Sequence, residues 1–249
     1  QPQFDVATSS LRGFEALIRW HDDDLGWISP ERFIPLAEES RLVIPLGDWV
    51  METAIKTIRD WEENYDFDGI VSVNVSPLQF KKENFIDELV KKINRYAIQA
   101  RHLEIEITEG MLIDNVEETI AKLNEIREMG IGISLDDFGT GYSSLRYLQI
   151  LPLTTLKIDK SFISNIASKS GVEANITESI VNLVSKMGLD TIAEGVETDA
   201  QLDILKKFNC HSVQGFLKGK PMPVERCSRM LSGDKSAILT IDNITPESQ

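Results

Sequence analysis

Strand-like and helix-like segments alternate along the whole chain. Apolar residues recur with a period of two in short segments and with a helical period between them. This alternation predicts parallel strands, and seven or eight strand-then-helix units within 249 residues favour an α/β fold, a closed (β/α)8 TIM-like barrel. The active site of such a barrel lies at the carboxyl ends of its strands. An open doubly wound sheet is the alternative, but the GxGxxG fingerprint of dinucleotide-binding sheets is absent from the sequence.

The same periodicity predicts where each element begins and ends. Strands are predicted at 12–20, 70–75, 103–108, 131–136, 154–158, 190–193 and 211–214. Helices are predicted at 30–40, 46–63, 83–96, 115–129, 143–149, within 161–187, 198–208 and 223–231. Ser29 and Pro30 fit the N-cap and the first position of the first helix. Residues 1–249 are therefore interpreted as a single domain with a core over about 1–231 and a loosely held tail.

Several predicted strands alternate apolar residues with polar or small ones. In the segment 103–108 the two faces are Leu103, Ile105, Ile107 and Glu104, Glu106, Thr108. The apolar face packs against the outer helices of a barrel, so the polar face lines its interior. Buried charges without partners are strongly destabilising. Polar interior faces on several strands therefore predict that metals or charged partners compensate them.

Five predicted strands carry a carboxylate, an amide or an amine near their ends. These groups are Glu15, Asn74, Glu106, the pair Asp136 and Asp137, and Lys157. Because the carboxyl ends of parallel strands meet at one rim, we expect the groups to converge there. An intact pleat would point Asp136 and Asp137 in opposite directions, so the strand is expected to end at this pair. Carboxylate and amide oxygens are ligands of hard divalent cations, and the residues thus predict a metal site at the rim.

The charge balance narrows the classes of partner. The chain has 26 basic and 40 acidic residues, a formal net charge of −14, which disfavours binding to DNA or RNA. A small anionic substrate is compatible with this charge where bound cations invert the local field. Two cysteines, Cys210 and Cys227, make neither a disulfide framework nor a zinc site, and both are expected to be partly buried thiols.

Targeting signals are not found in the sequence. No run of 18 apolar residues and no signal peptide is present, so no membrane contact is expected from this domain. A cytoplasmic location is the expectation. The first residue is Gln1 rather than Met, which is typical of a domain excised from a longer multidomain protein.

Seven short motifs, in this order, make the chain similar to the EAL domain family of bacterial cyclic di-GMP phosphodiesterases. They are EALIR (15–19), SVNVS (72–76), EIEITE (104–109), DDFGTGYSSL (136–145), KID (157–159), EGVE (194–197) and QGF (214–216). The resemblance runs from Gln1 to about Pro223, and each motif lies at a predicted strand end or in the following loop. HDDD at 21–24 stands where the family commonly has His-Pro, and Phe216 where Tyr is frequent, but no metal ligand is lost.

The resemblance implies hydrolysis of one phosphodiester bond of cyclic di-GMP to linear pGpG with two divalent cations, Mg²⁺ or Mn²⁺. It implies as ligands Glu15, Asn74 and Glu106 at one ion, Asp137 and Glu194 at the other, and Asp136 bridging both. Lys157 and Glu194 are the implied catalytic residues, together with Glu15. Which of Lys157 and Glu194 handles the proton of the attacking water stays open. Ca²⁺ is expected to bind but to support catalysis poorly, because its larger and looser shell misplaces the paired ions.

Further residues are implied to contact the substrate. The guanidinium fork of Arg19 suits a phosphate oxygen. The alternative for Arg19 is a salt bridge to Asp22 or Asp23. By the resemblance, the other substrate contacts are Leu17, Asp159, Glu197, Gln214 and, at the start of the chain, Gln1.

The loop at 138–145 has glycines on both sides of Thr140, which permit unusual backbone angles. In the family this loop arranges the second metal and takes part in homodimerisation, and a residue in the position of Glu109 braces it. The alternative for Glu109 is a charge that favours the dipole of the helix at 115–129. The resemblance also implies a homodimer contact over 138–149 and sensor or GGDEF domains upstream.

Two readings other than an enzyme are open. A receptor that binds cyclic di-GMP without cleaving it would normally lack a metal-binding or catalytic residue, and all of the implied ones are present. A scaffold that uses the barrel for protein contacts would not need a costly cluster of buried carboxylates. The sequence therefore favours a metal-dependent phosphodiesterase.

Overall fold

The structure is a computed structural model that describes residues 1–112, 116–139, 145–168 and 171–234. In chain order its strands are β1 (Pro2–Asp5), β2 (Leu11–Ala16), β3 (Trp20–Asp22), β4 (Gly26–Ile28), β5 (Ile70–Asn74), β6 (Leu103–Thr108), β7 (Gly132–Phe138), β8 (Thr155–Ile158), β9 (Asp190–Ala193) and β10 (Ser212–Gln214). Its helices are α1 (Pro30–Glu39), α2 (Val43–Asn64), α3 (Pro77–Phe80), α4 (Phe85–Tyr96), α5 (Val116–Glu128), α6 (Leu145–Ile150), α7 (Lys160–Ser164), α8 (Val172–Lys186), α9 (Asp199–Lys207) and α10 (Val224–Leu231). Short 3₁₀ helices lie at Ala100–His102 and Glu109–Leu112.

Eight strands close into a barrel in the order β1-β10-β9-β8-β7-β6-β5-β2. Neighbours from β2 through β5 to β10 are parallel, whereas β1 is antiparallel to both β2 and β10. The predicted (β/α)8 class is confirmed, with one strand reversed. Only residues 6–10 join β1 to β2, enough for a tight turn but not for the crossover that parallel strands need. Because β1 is reversed, Gln1 lies at the rim that holds the carboxyl ends of the other strands.

Two strand predictions need correction. The sequence pattern predicts no strand before residue 12, because the four residues of β1 are too few to show an alternation. The predicted strand 12–20 is wrong beyond Ala16, since β3 and β4 form a separate antiparallel hairpin outside the barrel. Trp20 packs edge-on against Phe33 of α1, with ring centroids 5.6 Å apart. The hairpin therefore contacts α1 and does not continue the barrel sheet.

The predicted helices are found with small shifts of their ends. Ser29 precedes α1 and Pro30 is its first residue, although the Ser29 side chain makes no capping hydrogen bond. The helix predicted at 143–149 corresponds to α6, whose first two predicted positions lie outside the described residues. The tail from residue 235 onward also lies outside them.

The two faces of the barrel strands follow the predicted alternation. Leu103, Ile105 and Ile107 of β6 are fully buried among apolar neighbours. The fully buried polar residues of the barrel strands include Gln3, Ser72, Glu104, Glu106, Ser134, Thr155 and Lys157. A polar interior enclosed by an apolar layer therefore carries the charged groups toward the rim.

Side chains cap the first turns of three helices that come after strand ends at the rim. Ser76 accepts a hydrogen bond from the Gln79 backbone N–H at the start of α3, and Asp159 accepts one from the Ser161 N–H at α7. The Thr198 side chain forms a reciprocal capping box at α9. Such caps satisfy N–H groups that the first helical turn leaves without partners. The loops after β5, β8 and β9 are thereby fixed close to the strand ends.

Burial determines the chemistry of the two cysteines. Cys210 and Cys227 are buried and unbridged. Burial raises the pKa of Cys210 to about 11 and also raises the pKa of Cys227, so neither thiol is activated as a nucleophile. In the described part of the chain, no helix has both the length and the apolar character needed to cross a bilayer.

Gly13 marks the closest approach between β2 and β5. A Cβ atom at this position would lie 1.9 Å from the backbone oxygen of Ile70. We expect Gly13→Ala to lower the free energy of unfolding by about 3 kcal/mol, because the two strands must separate to admit the methyl group. Gly26→Ala is the control, with open space around the added atom but a φ of +69°, and should cost about 1 kcal/mol. Urea unfolding measures both, and equal losses would contradict the steric explanation.

Candidate active site

Lys157 lies at the centre of a cluster of carboxylates at the rim of the barrel. Its side chain, in β8, is only 1% exposed. The oxygens around its Nζ are Glu106 Oε2 at 2.7 Å, Glu194 Oε1 at 2.8 Å, Asp136 Oδ1 at 3.2 Å and Glu15 Oε2 at 3.5 Å. These carboxylates come from β2, β6, β7 and the residue after β9, whose carboxyl ends share one rim. The structure therefore brings together five of the predicted site residues.

Four carboxyl groups of the cluster share a single ammonium. Burial raises the pKa of Glu106 well above its ordinary value, and the nearby Glu15 carboxylate raises it further. Burial also raises the pKa of Glu194 to about 7. Burial alone would lower the pKa of Lys157, but Glu106 and the other carboxylates raise it well above its ordinary value. The amine therefore stays charged, and the crowded carboxyls resist ionisation unless more positive charge is supplied, which favours binding of further cations.

Two amides hold the Glu15 carboxylate, one at each oxygen. Asn74 Nδ2 donates a hydrogen bond to Glu15 Oε1 at 2.8 Å, and Gln214 Nε2 donates one to Glu15 Oε2 at 2.5 Å. Burial opposes ionisation of Glu15, but the charge of Lys157 and the two amide hydrogen bonds outweigh it and lower its pKa. Asn74 thus joins the cluster as predicted. Gln214, predicted as a substrate contact, is buried here and directs its amide at Glu15.

The strand β7 does not end at the Asp136-Asp137 pair, and that expectation is wrong. The strand runs on to Phe138, and its register with β8 shifts after Leu135. Asp137 has a φ of 56°, in the left-handed region, and its N–H donates to Asp136 Oδ1 at 3.0 Å. A bulge, rather than a strand end, re-aims these two side chains. Asp136 reaches Lys157, while Asp137 is exposed, with a pKa raised by partial burial and by the Asp136 charge.

The donor set of the cluster fits hard divalent cations. Its candidate ligands offer carboxylate and amide oxygens only. Glu106 Oε1 is buried and has no hydrogen-bond partner, so it remains available to a ligand. Among residues within the described ranges, no three Asp, Glu, His or Cys side chains stand in a ready metal-binding arrangement, because the carboxylates converge on Lys157 Nζ. The residues therefore fit cations in chemistry and charge, and binding would require the carboxylates to shift relative to the ammonium.

Arg19 and Leu17 follow the end of β2, in the segment that leads to the hairpin. Arg19 is exposed, and its Nη1 donates a hydrogen bond to the Ile18 carbonyl at 2.9 Å. Asp22 accepts two backbone N–H groups of its own turn. Among the residues that the structure describes, Arg19 forms no ion pair with Asp22 or Asp23, so the salt-bridge alternative is not observed.

The remaining predicted substrate contacts lie along the same rim. Asp159 follows β8 directly and caps α7, and Glu197 is exposed in the loop after β9. The amino group of Gln1 donates to the Glu15 carbonyl at 2.7 Å, and Gln1 Oε1 accepts a hydrogen bond from Gln214 Nε2 at 3.2 Å. These residues therefore border the carboxylate cluster on several sides.

Glu109 contacts the start of the loop that it was predicted to brace. It lies in the 3₁₀ helix after β6, and its Oε1 accepts a hydrogen bond from the Gly139 N–H at 3.3 Å. Helix α5 begins at Val116, seven residues later, so Glu109 is outside the first turn where a dipole acts. Residues 140–144 of the loop, and with them part of the predicted dimer contact over 138–149, lie outside the described residues.

Arg12 is a residue that no sequence pattern singles out, and it lies below the cluster inside the barrel. A period of two assigns Arg12 to the outer face of β2 with Phe14. The pairing of β1 with β2 instead moves from Gly13 to Leu11 and skips Arg12, which is a β-bulge. The bulge lets the guanidinium reach Glu104, with Arg12 Nη2 2.9 Å from Glu104 Oε2. A glycine next to Arg12 within a strand is the local signal for such a bulge.

Known proteins are similar to this chain in sequence and in structure. The bifunctional diguanylate cyclase/cyclic di-GMP phosphodiesterase MucR of Pseudomonas aeruginosa is 40% identical over 226 residues, 91% of this chain and 33% of that protein. The cyclic di-GMP phosphodiesterase NbdA of Pseudomonas aeruginosa is 38% identical over 232 residues, 93% of this chain and 29% of that protein. The chain thus spans about a third of the length of these curated relatives.

A solved structure of the PaMucR phosphodiesterase, a c-di-GMP complex, superposes with a TM-score of 0.86 at 40% identity. The superposition covers 91% of this chain and 92% of that one. The sequence model of the EAL domain matches residues 1–221, nearly all of the described part of the chain. The predicted resemblance is confirmed, and the chain belongs to the EAL domain family.

Proposed function

We propose that this domain hydrolyses one phosphodiester bond of cyclic di-GMP to linear pGpG, with two divalent cations, and so lowers the level of a bacterial second messenger. The observation that carries the proposal is the convergence of four carboxylates on one buried ammonium at the rim. Membership of the EAL family and relatives named as cyclic di-GMP phosphodiesterases support the same substrate. The solved complex of a relative with c-di-GMP supports it further.

The rim residues divide between two cation sites. Glu15, Asn74 and Glu106 would hold one cation, Asp137 and Glu194 the other, and Asp136 both. When bound, Mg²⁺ or Mn²⁺ ions would lower the pKa of an attacking water and offset the charge on the leaving oxygen. The unpartnered Glu106 Oε1 and the four carboxyl groups around one ammonium support cation binding at this rim.

The protein itself contributes charge and orientation to the reaction. The Lys157 ammonium offsets negative charge on the phosphate and positions the attacking water, because it is fixed by carboxylates on several sides. Glu194 Oε1, 2.8 Å from Lys157 Nζ, orients the water and accepts its proton. Their proximity makes them one functional unit, so the loss of either should have a similar effect on turnover.

Substrate binding uses the residues that border the cluster. Arg19 is exposed after β2 and suits bidentate contact with a phosphate. The other proposed contacts with the dinucleotide are Leu17, Asp159, Glu197, Gln214 and Gln1. Their positions at strand ends and in the following loops support this assignment, since ligands of such barrels bind at that face.

An assay with cyclic di-GMP and Mg²⁺ or Mn²⁺ tests the proposal, with pGpG followed by chromatography. We expect turnover that EDTA abolishes and that Glu15→Ala abolishes, while the exposed control Glu31→Ala keeps wild-type turnover. Binding of the dinucleotide without metal and without turnover would favour a receptor. Absence of both binding and turnover would favour a scaffold.

Calcium should inhibit the enzyme when added to a Mg²⁺ assay. Ca²⁺ shares the preference for oxygen ligands, but it takes six to eight of them at longer distances than Mg²⁺ accepts. It should therefore occupy the carboxylate sites and hold the substrate in an unproductive position. Product formation is followed at fixed Mg²⁺ and rising Ca²⁺, with added Mg²⁺ as the ionic-strength control, and undiminished turnover would contradict the expectation.

The whole protein extends beyond this domain in our proposal. We propose that sensor or GGDEF domains precede residues 1–249 in a cytoplasmic signalling protein, since the chain matches only about a third of its curated relatives. We also propose a homodimer through the 138–149 region. Light scattering of the domain with and without cyclic di-GMP tests the dimer, and a monomer at all concentrations would contradict it.

A further inference from the structure

Arg12 is held inside the barrel, on the side of the cluster away from the rim, by a buried carboxylate. Its Nη2 donates hydrogen bonds to Glu104 Oε1 at 3.1 Å and to Glu104 Oε2 at 2.9 Å. The hydroxyl of Thr155 donates to Glu104 Oε2 at 2.7 Å and completes the contact. Glu104 is 1% exposed, so this charge pair is protected from water. The guanidinium plane is thus fixed independently of the residues at the rim.

Two buried amides connect Arg12 to the rim. Arg12 Nη1 donates to Gln3 Oε1 at 2.6 Å, and Gln3 Nε2 donates to Gln214 Oε1 at 2.9 Å. Gln214 Nε2 then donates to Glu15 Oε2 at 2.5 Å. Gln3 and Gln214 are direct partners in the pairing of β1 with β10, which keeps their side chains in register. We call this series, from Arg12 through Gln3 and Gln214 to Glu15, the amide relay.

The chemistry of its two ends fixes the direction of the amide relay. A guanidinium has only donors, so Gln3 must turn its oxygen toward Arg12. An ionised carboxylate has only acceptors, so Gln214 must turn its nitrogen toward Glu15. Gln3 then presents its nitrogen to the oxygen of Gln214, and every bond of the series is satisfied in one direction only. Reversing either amide would place two donors or two acceptors against each other.

We propose that Arg12 is a positioning residue for Glu15 that acts through the amide relay. The guanidinium sets the direction of Gln3 and thereby of Gln214, so that the Glu15 carboxylate always meets a donor on Oε2. The part of this inference that concerns cation affinity rests on the proposed function of Glu15. The direction of the amides does not, because it follows from hydrogen bonds within the barrel.

Gln3→Glu tests the direction, because it changes a donor into an acceptor at almost constant volume. A carboxylate at this position still pairs with Arg12 but offers oxygen to Gln214, which must turn its own nitrogen away from Glu15. We expect Mn²⁺ affinity, measured by titration calorimetry, to fall by about 10- to 100-fold, the usual effect of losing a ligand's outer partner. Gln3→Met is the matched control, which removes the donor without reversing Gln214, and its affinity should stay within about threefold of wild type.

Crystal structures of the metal-free variants give a second readout that does not depend on cation binding. In Gln3→Glu, the Gln214 side chain should leave Glu15, with a separation beyond the ~3.2 Å limit of an N–H···O hydrogen bond. In Gln3→Met, that contact should persist. Equal effects of both substitutions on affinity, or an intact Gln214–Glu15 contact in Gln3→Glu, would overturn the proposal. If the wild type bound no Mn²⁺, the proposed function would fail, and the crystal structures alone would decide on the relay.

Discussion

Replacing Lys157 with Met is expected to destabilise the metal-free protein by about 3–5 kcal/mol, as for other buried ion pairs that lose one partner. The reason is that four carboxylates lie within 3.5 Å of the Lys157 ammonium, and the Met side chain leaves them to repel one another. Turnover of cyclic di-GMP should fall by about 10³-fold, the loss seen when one preorganised electrostatic group is removed from an active site. Urea unfolding in EDTA at pH 8 and the chromatographic assay measure the two effects.

Adding Mn²⁺ to Lys157→Met and to the wild type shows whether the variant loses stability because it lacks a positive charge. Mn²⁺ should stabilise Lys157→Met more than the wild type, because added cations replace the missing positive charge. The control is Lys206→Met, whose side chain is about half exposed and should change stability by less than about 0.5 kcal/mol. If metal-free Lys157→Met were as stable as Lys206→Met, the carboxylates would not depend on the ammonium.

Asp136→Asn should abolish turnover, with a loss of about 10³-fold or more, while the fold stays intact. The amide keeps the shape of the side chain but removes the charge that is proposed to serve both cations. In the metal-free protein, Asp136 Oδ1 lies 3.2 Å from Lys157 Nζ among three other carboxylates. Removing one of four crowded carboxyl groups should therefore leave the free energy of unfolding unchanged or raise it slightly.

A loss of turnover without a loss of stability separates catalysis from folding in this variant. Turnover is measured by chromatography of pGpG, and stability by urea unfolding in EDTA. The matched control is Asp203→Asn, an exposed carboxylate of α9, which should change neither quantity. Unchanged turnover in Asp136→Asn would remove Asp136 from the metal site and contradict the central assignment.

Sequence periodicity predicts those parts of the fold in which alternation is unbroken. In β6 the residues alternate without interruption, so Glu106 was correctly placed on the inner face and at the rim. Where a bulge adds a residue, the same rule fails. A period of two would place Arg12 on the outer face of β2, and it led to the expectation that the Asp136-Asp137 pair ends its strand, because a bulge leaves the hydrophobic pattern unchanged.

The orientation of side-chain amides also could not be predicted from the sequence. The motif that contains Gln214 indicated a polar residue at the rim, but only the positions of Gln3 and Glu15 show which way its amide points. The reversed strand β1 was missed because its four residues are too few to show an alternation of apolar and polar positions. Contacts between residues far apart in sequence decide these features, and local patterns do not encode them.

The reversed β1 has a consequence for how such a domain can be controlled. Gln1 precedes this strand and lies beside Glu15, and its nitrogen donates to the Glu15 carbonyl at 2.7 Å, a bond that a peptide N–H could make equally well. A covalent tether attached in front of Gln1 would therefore pull directly on the backbone of β2 at Glu15. A sensor module joined there would need no route through the protein interior. Tension or release at the tether would reach the carboxylate cluster through the hydrogen bond between Gln1 and Glu15.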